Sequence, residues 1–131
     1  VGSEILLRDR IRRGAYGAAR NLVDLPPDAV LPLLMGLRDP DEGTAVAAFA
    51  IFADRPEWKL TRSNWRLLLL AARSAADSPH TNLRRHAAFT AIRRCGSVPH
   101  GMRTEWAALI DRFRGDISAS VRRASHPQVT I

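Results

Sequence analysis

Three ten-residue segments of this chain align with one another without gaps, and this repetition restricts the fold more than any other feature of the sequence. The segments are residues 29–38, 64–73 and 105–114. Apolar residues recur in each at spacings of i, i+3, i+4 and i+7, which mark one face of an α-helix. The aligned sets are Val30, Trp65 and Trp106; Leu33, Leu68 and Leu109; Leu34, Leu69 and Ile110; and the closing Arg38, Arg73 and Arg114. The segments begin 35 and then 41 residues apart, and repeats of that length predict helices that stack.

A turn and a second, alanine-rich helix follow each of these segments. The second helices are predicted over residues 45–52, 83–92 and 121–124, and a further copy occupies residues 11–19. The first helix of each pair has a bulky apolar face, and the second has small residues that let a neighbour approach closely. Neither helix can bury its face alone, so successive pairs must pack together. No window shows sustained alternation of apolar and polar residues, so strands are not expected.

The head of the second helix has a recurring motif, (Val/Leu)-Arg-Arg-x-Ala, placed after a turn that contains aspartate. It stands at residues 83–87 and 121–124, and in part at 11–15, whereas residues 43–47 lack the arginines. In this respect the chain resembles the HEAT-repeat family and, more loosely, armadillo-like repeats. The resemblance implies an all-α fold, a right-handed α-solenoid of about three and a half antiparallel helix hairpins. The single domain, 1–131, would comprise a partial repeat over 1–24, repeats over 27–55 and 61–96, and an incomplete one over 100–126.

The composition excludes several kinds of site. Cys95 is the only cysteine, so neither an internal disulfide nor a cysteine-based zinc site can form, which favours a reducing cytoplasm. The longest apolar run is residues 45–53, far below the roughly 20 residues of a membrane span. Charges interrupt residues 1–13, so no signal peptide or anchor is predicted there. No metal or cofactor is expected.

The charge of the chain is unevenly distributed. Residues 1–57 hold seven Arg against nine Asp and Glu, a net charge of −2. Residues 58–131 hold thirteen Lys and Arg against four Asp and Glu, a net charge of +9. This asymmetry indicates a polyanionic or acidic partner. The use of arginine almost to the exclusion of lysine is also typical of a GC-rich genome, so part of the basicity has a compositional explanation.

Paired arginines are the main candidates for contact with such a partner. The resemblance implies that one member of a pair bonds a turn aspartate, for which Asp9, Asp39, Asp77 and Asp116 are available. The other member points about 100° away around the helix and is able to face solvent or a ligand. Guanidinium groups suit both phosphates and carboxylates. The predicted binding residues are Arg62, Arg66, Arg73, Arg84, Arg85, Arg93, Arg94, Arg122 and Arg123.

The other reactive or aromatic side chains favour structural roles. Trp65 and Trp106 align with Val30 and are therefore predicted to be interior, whereas Trp58 lies in a loop and is expected to be partly exposed. Cys95 follows two arginines, which lower a thiol pKa, but it lies at a helix C-terminus, where the dipole opposes a thiolate. A buried structural cysteine is the better interpretation. The four histidines share no metal-ligand spacing.

These observations favour a non-catalytic binding module that engages an acidic protein segment or nucleic acid through an arginine-rich face. Two alternatives remain open at this point. One is an enzyme resembling the HEAT-like DNA glycosylases that act on alkylated bases, although the chain is short for that family and its catalytic positions find no match here. The other is a scaffold whose basicity is only compositional. Both ends lack a polar capping repeat, which leads us to expect an oligomer, a larger parent chain or a protein partner.

Overall fold

The structure, a computed structural model, describes residues 33–126, and every regular element in this range is helical. Residues 33–36 are helical and precede five α-helices. The helices are α1 (Glu42–Asp54), α2 (Arg62–Ala76), α3 (Thr81–Arg93), α4 (Arg103–Arg114) and α5 (Ala119–Ala124), with 3₁₀ turns at Cys95–Ser97 and His100–Met102. The predicted all-α class is confirmed for this part of the chain. The predicted partial repeat over residues 1–24 and the start of the next one lie outside the described residues.

Side-chain caps fix where the first two of these helices begin. The Asp41 carboxylate accepts the Thr44 main-chain N–H at 3.0 Å and the Thr44 hydroxyl at 2.7 Å, which satisfies donors that the first turn of α1 leaves unpaired. The Thr61 hydroxyl accepts the Asn64 N–H at 3.2 Å and caps α2.

The helices contact one another in two series. α1 packs against α3 and α3 against α5, while α2 packs against α4. α3 also contacts α2 and α4, so it joins both series and lies at the centre of the described structure. In this central helix Ala87, Ala88 and Ala91 are almost completely buried. Small side chains at these positions allow close approach of the neighbouring helix axes.

Large side chains from α2 and α4 fill the interior. Leu68 and Leu109, which align in the repeat, are both buried, and so are Trp65 and Trp106. The two indole rings meet edge to face with their centroids 5.3 Å apart, and the Trp106 Nε1–H donates to the Ala91 carbonyl at 2.9 Å. The predicted interior position of both tryptophans is confirmed.

Two predictions about burial are wrong. Trp58 is buried, with 4% of its surface exposed, because the Arg55 guanidinium stands 5.3 Å from its ring centroid and Arg94 binds its carbonyl oxygen. Cys95 is exposed instead of buried. α3 ends at Arg93 and the chain continues into a 3₁₀ turn, so Cys95 no longer follows the buried face of the helix.

Candidate polyanion-binding face

Arg84 belongs to the framework of the fold. Its Nε donates to Asp116 Oδ2 at 2.9 Å, its Nη2 to Asp116 Oδ1 at 3.3 Å and its Nη1 to the Ser78 carbonyl at 2.9 Å. Both side chains of the ion pair are only 10% exposed. The bond joins the start of α3 to the turn between α4 and α5, which confirms that one member of this arginine pair binds a turn aspartate. The inclusion of Arg84 among the ligand-binding residues is therefore corrected.

The carboxyl group of Asp116 is held in its charged form by these contacts. Burial alone would raise its pKa, but the Arg84 hydrogen bonds, the Ser118 N–H and the charges of Arg84 and Arg122 outweigh burial. The pKa of Asp116 consequently lies below its ordinary value of 3.8.

Arg94 is also unavailable to a ligand, because its side chain is completely buried. Its guanidinium donates to the carbonyl oxygens of Phe52, Arg55 and Trp58 at 2.9, 2.7 and 3.2 Å and lies over the Phe52 and Trp65 rings. Burial lowers the pKa of Arg94 to about 10, partly opposed by the charge of Glu57, so the group remains cationic at neutral pH. The sequence-based placement of Arg94 on the binding face is wrong.

Arg93 and Arg94 act together on the end of α1. The Arg93 Nε donates to the Ala53 carbonyl at 3.2 Å, one residue after the carbonyl that Arg94 binds. The last turn of a helix leaves carbonyl oxygens without partners and carries a partial negative charge, so two cations stabilise it. Arg93 differs from Arg94 because it is exposed, with its guanidinium 5.7 Å from the centroid of the Phe89 ring.

Two of the three predicted arginines of α2 face a carboxylate. Arg66 Nη1 and Arg73 Nη2 both donate to Glu105 Oε2, at 2.8 and 3.2 Å. Across the same pair of helices, Arg112 of α4 forms an ion pair with Asp77. We call these five residues the α2–α4 surface. Arg62 lies apart from them, with its guanidinium packed against Gly101.

Residues 78–104 and the residues after 116 contain no Asp or Glu. The helices α3 and α5, which lie within these two ranges, contain five Arg, three in α3 and two in α5. An open groove of about 290 Å³ lies between the two helices. We call it the α3–α5 groove, and its lining residues are Arg85, His86, Phe89, Ser120, Arg123 and Ala124. None of the lining side chains is acidic.

The two arginines of the groove keep their positive charge uncompensated within residues 33–126. Arg85 Nη2 donates to the amide oxygen of Asn82 at 2.5 Å, which is a neutral partner. Neither Arg85 nor Arg123 forms an ion pair with a described carboxylate. Arg122, on the exposed side of α5, binds the main-chain oxygen of Asp116 at 2.7 Å. Charges of one sign that line a concave surface raise the local concentration of counter-ions.

The nine predicted residues thus do not form one lobe. Arg85 and Arg123 line the groove, and Arg93 stands beside it at the Phe89 ring. The sequence interpretation gave no role to Phe89 or Ser120 and considered His86 only as a metal ligand. The spacing of Arg85, Phe89 and Arg93, each four residues from the next, could have indicated that they share a helix face.

The described residues show no arrangement suited to metal binding. No three His, Cys, Asp or Glu side chains converge as ligands anywhere in residues 33–126. Over the same range, no helix combines the length and the apolar character that spanning a bilayer requires. Comparison with known proteins identifies no relative, since no family model, curated protein or solved structure matches the chain.

Proposed function

We propose that this chain is a non-catalytic binding module that engages a polyanion, an acidic protein segment or a nucleic acid, through the α3–α5 groove. The observation that carries the proposal is that Arg85 and Arg123 line a groove without any carboxylate. A guanidinium presents paired donors that match the oxygens of a phosphate or a carboxylate.

We further propose that the two series of helix contacts are the two layers of a right-handed α-solenoid. On this interpretation α2 and α4 are the first helices of successive repeats, and α1, α3 and α5 are the second helices. The contacts of α1 with α3 and of α3 with α5 support it, as does the burial of Leu68 and Leu109 at equivalent repeat positions. Stacking would then place the exposed faces of the second helices side by side as one extended surface.

The affinity for a polyanion should depend strongly on salt. Displacement of counter-ions by three arginines, Arg85, Arg93 and Arg123, predicts that raising the salt from about 50 to about 200 mM weakens oligonucleotide binding roughly 20- to 40-fold. A fluorescent 12-nucleotide oligonucleotide and poly-glutamate, each titrated at both concentrations, test this expectation.

A matched pair of double variants tests where binding occurs. Arg85→Gln with Arg123→Gln removes two charges from the groove, and Arg66→Gln with Arg73→Gln removes two from the α2–α4 surface. The first pair should weaken binding about tenfold or more and the second much less, because Glu105 already neutralises part of the charge on α2. Absence of salt-sensitive binding to both polymers would overturn the proposal. Equal losses of affinity in the two double variants would show that the groove is not the binding site.

A further inference from the structure

An aromatic ring lies among the arginines of the α3–α5 groove. Phe89 is only partly buried, and it lines the groove together with Arg85, His86 and Arg123. On α3, Arg85 precedes Phe89 by four residues and Arg93 follows it by four. Because such steps return to nearly the same face of a helix and advance by about 6 Å, the three side chains form a column of cation, ring and cation.

Phe89 packs partly against the core and also has a cationic neighbour. The Arg93 guanidinium stands over Phe89 at 5.7 Å from its centroid, so a planar ligand would meet the part of the ring that lines the groove. A second ring, that of His86, lines the groove three residues before Phe89 on α3. Its Nδ1 lies 2.9 Å from the Asn82 carbonyl oxygen. Since a carbonyl can only accept, Nδ1 carries the proton and this bond fixes the orientation of the imidazole. A groove that only neutralised an acidic polymer would need its arginines but not these two aromatic rings.

We infer that the α3–α5 groove binds single-stranded nucleic acid, with a base stacked on Phe89 and phosphates on Arg85 and Arg123. This inference rests on the proposed polyanion-binding function and specifies its ligand. Proteins that bind single strands without sequence preference combine a positive groove that follows the backbone with aromatic side chains on which bases stack.

An acidic peptide and a nucleic-acid duplex would each use only part of what the groove offers. An acidic peptide would satisfy the arginines, but its carboxylates would gain nothing from an aromatic ring, whose face carries partial negative charge. A duplex keeps its bases stacked within the helix and offers mainly phosphates to such a surface, so Phe89 would contribute little. Only a single strand supplies both phosphates and accessible planar bases.

The test compares three probes on one variant. Phe89→Leu retains an apolar side chain, and its thermal melt shows whether the fold is intact. It should weaken binding of a fluorescent 12-nucleotide oligo-dT about tenfold, the typical effect of losing one stacked base, while poly-glutamate and a 12-base-pair duplex change by less than about twofold. Equal losses for all three probes, or an unchanged affinity for oligo-dT, would overturn the inference and leave the polyanion-binding proposal standing.

A second variant keeps the test decisive if the first one is unstable. Phe89→Trp places an indole in the open groove, whereas the three native tryptophans are buried. Stacking predicts that oligo-dT quenches the added fluorescence and that poly-glutamate does not. Binding without this quenching contradicts a stacked base at position 89. Failure of the wild-type chain to bind any of the three probes is a different result, because it overturns the proposed function itself.

Discussion

The α2–α4 surface and the α3–α5 groove are both rich in arginine, but only the first also carries carboxylates. Arg66 and Arg73 share Glu105, and Arg112 pairs with Asp77, whereas Arg85 and Arg123 meet no described acidic side chain. The net charge of the second half of the chain is therefore a poor guide to where a polyanion binds. The placement of a few carboxylates distinguishes a surface that is internally neutralised from one that attracts a ligand.

The largest expected effect concerns Arg94, which follows the last residue of α3 and belongs neither to the α2–α4 surface nor to the α3–α5 groove. Arg94→Leu should lower the free energy of unfolding by about 3–5 kcal/mol, because three buried carbonyl oxygens lose a charged donor. Arg93→Gln, one residue earlier and exposed, should lower it by about 1 kcal/mol at most. Urea unfolding measures both variants. Similar losses would mean that the two neighbours are not divided between interior and surface as described.

The next largest effect concerns Asp116, the carboxylate that binds Arg84 of α3. Asp116→Asn should lower the free energy of unfolding by about 2 kcal/mol at neutral pH, because the charge-assisted bonds from Arg84 weaken. The pKa of Asp116 is depressed in the folded chain, so its contribution is full above the ordinary value of 3.8 and is lost as the pH falls through the lower folded-state value. The gap between the melting temperatures of the two proteins should therefore begin to narrow below about pH 4 and close only below the folded-state pKa of Asp116.

The control for this effect is the exposed carboxylate of Asp111, which lies 4.0 Å from Arg114. Asp111→Asn should change the melting temperature little at any pH, because an exposed pair is screened by solvent. A gap between wild type and Asp116→Asn that persists unchanged to low pH would show that charge is not the source of the stabilisation.

A smaller effect follows from making the groove resemble the α2–α4 surface. Ser120→Glu adds a carboxylate beside Arg123, and it should weaken oligonucleotide binding about tenfold by neutralising one ligand-binding cation. Ala108→Glu adds the same charge to the exposed side of α4 and provides the matched control. Fluorescence anisotropy at low salt measures both. If the control weakens binding as much, total charge and not its placement governs affinity.

The smallest effect comes from the reverse change. Glu105→Gln removes the carboxylate that Arg66 and Arg73 share, so the α2–α4 surface should gain affinity for the same oligonucleotide by about threefold. The gain should be modest because these side chains stand on the outside of α2, with no aromatic ring between them. The gain in affinity from Glu105→Gln should persist when Arg85 and Arg123 are both replaced by Gln. No gain in that background would show that uncompensated arginines are insufficient without the groove.

The sequence predicted the helical class and much of the interior from residue periodicity alone. Trp65, Trp106 and the aligned leucines are buried because each lies on the apolar side of its own helix, and a local pattern determines that side. The helical class and this burial depend on short stretches of chain. The sequence also anticipated that one arginine of a pair binds a turn aspartate, but it did not say which one, and Arg84 and Asp116 are 32 positions apart.

The contacts that the sequence did not predict depend on how distant stretches of chain meet. Arg66 and Arg73 bind Glu105, which lies 39 and 32 positions further along the chain, only because α2 lies against α4. Arg94 enters the core, and Trp58 is covered, because α3 ends beside the last turn of α1. A long arginine side chain can reach either solvent or interior, so periodicity does not decide between them.

The way Arg94 holds the loop after α1 has a consequence for how the chain tolerates substitution. Its three acceptors are main-chain oxygens, and every amino acid carries one. Replacing the side chain at position 55 therefore leaves the acceptor in place, whereas replacing the donor removes all three bonds at once. In a library of variants, sequence diversity should accumulate in the loop while position 94 stays arginine, so that residue is the better landmark for recognising distant versions of this fold.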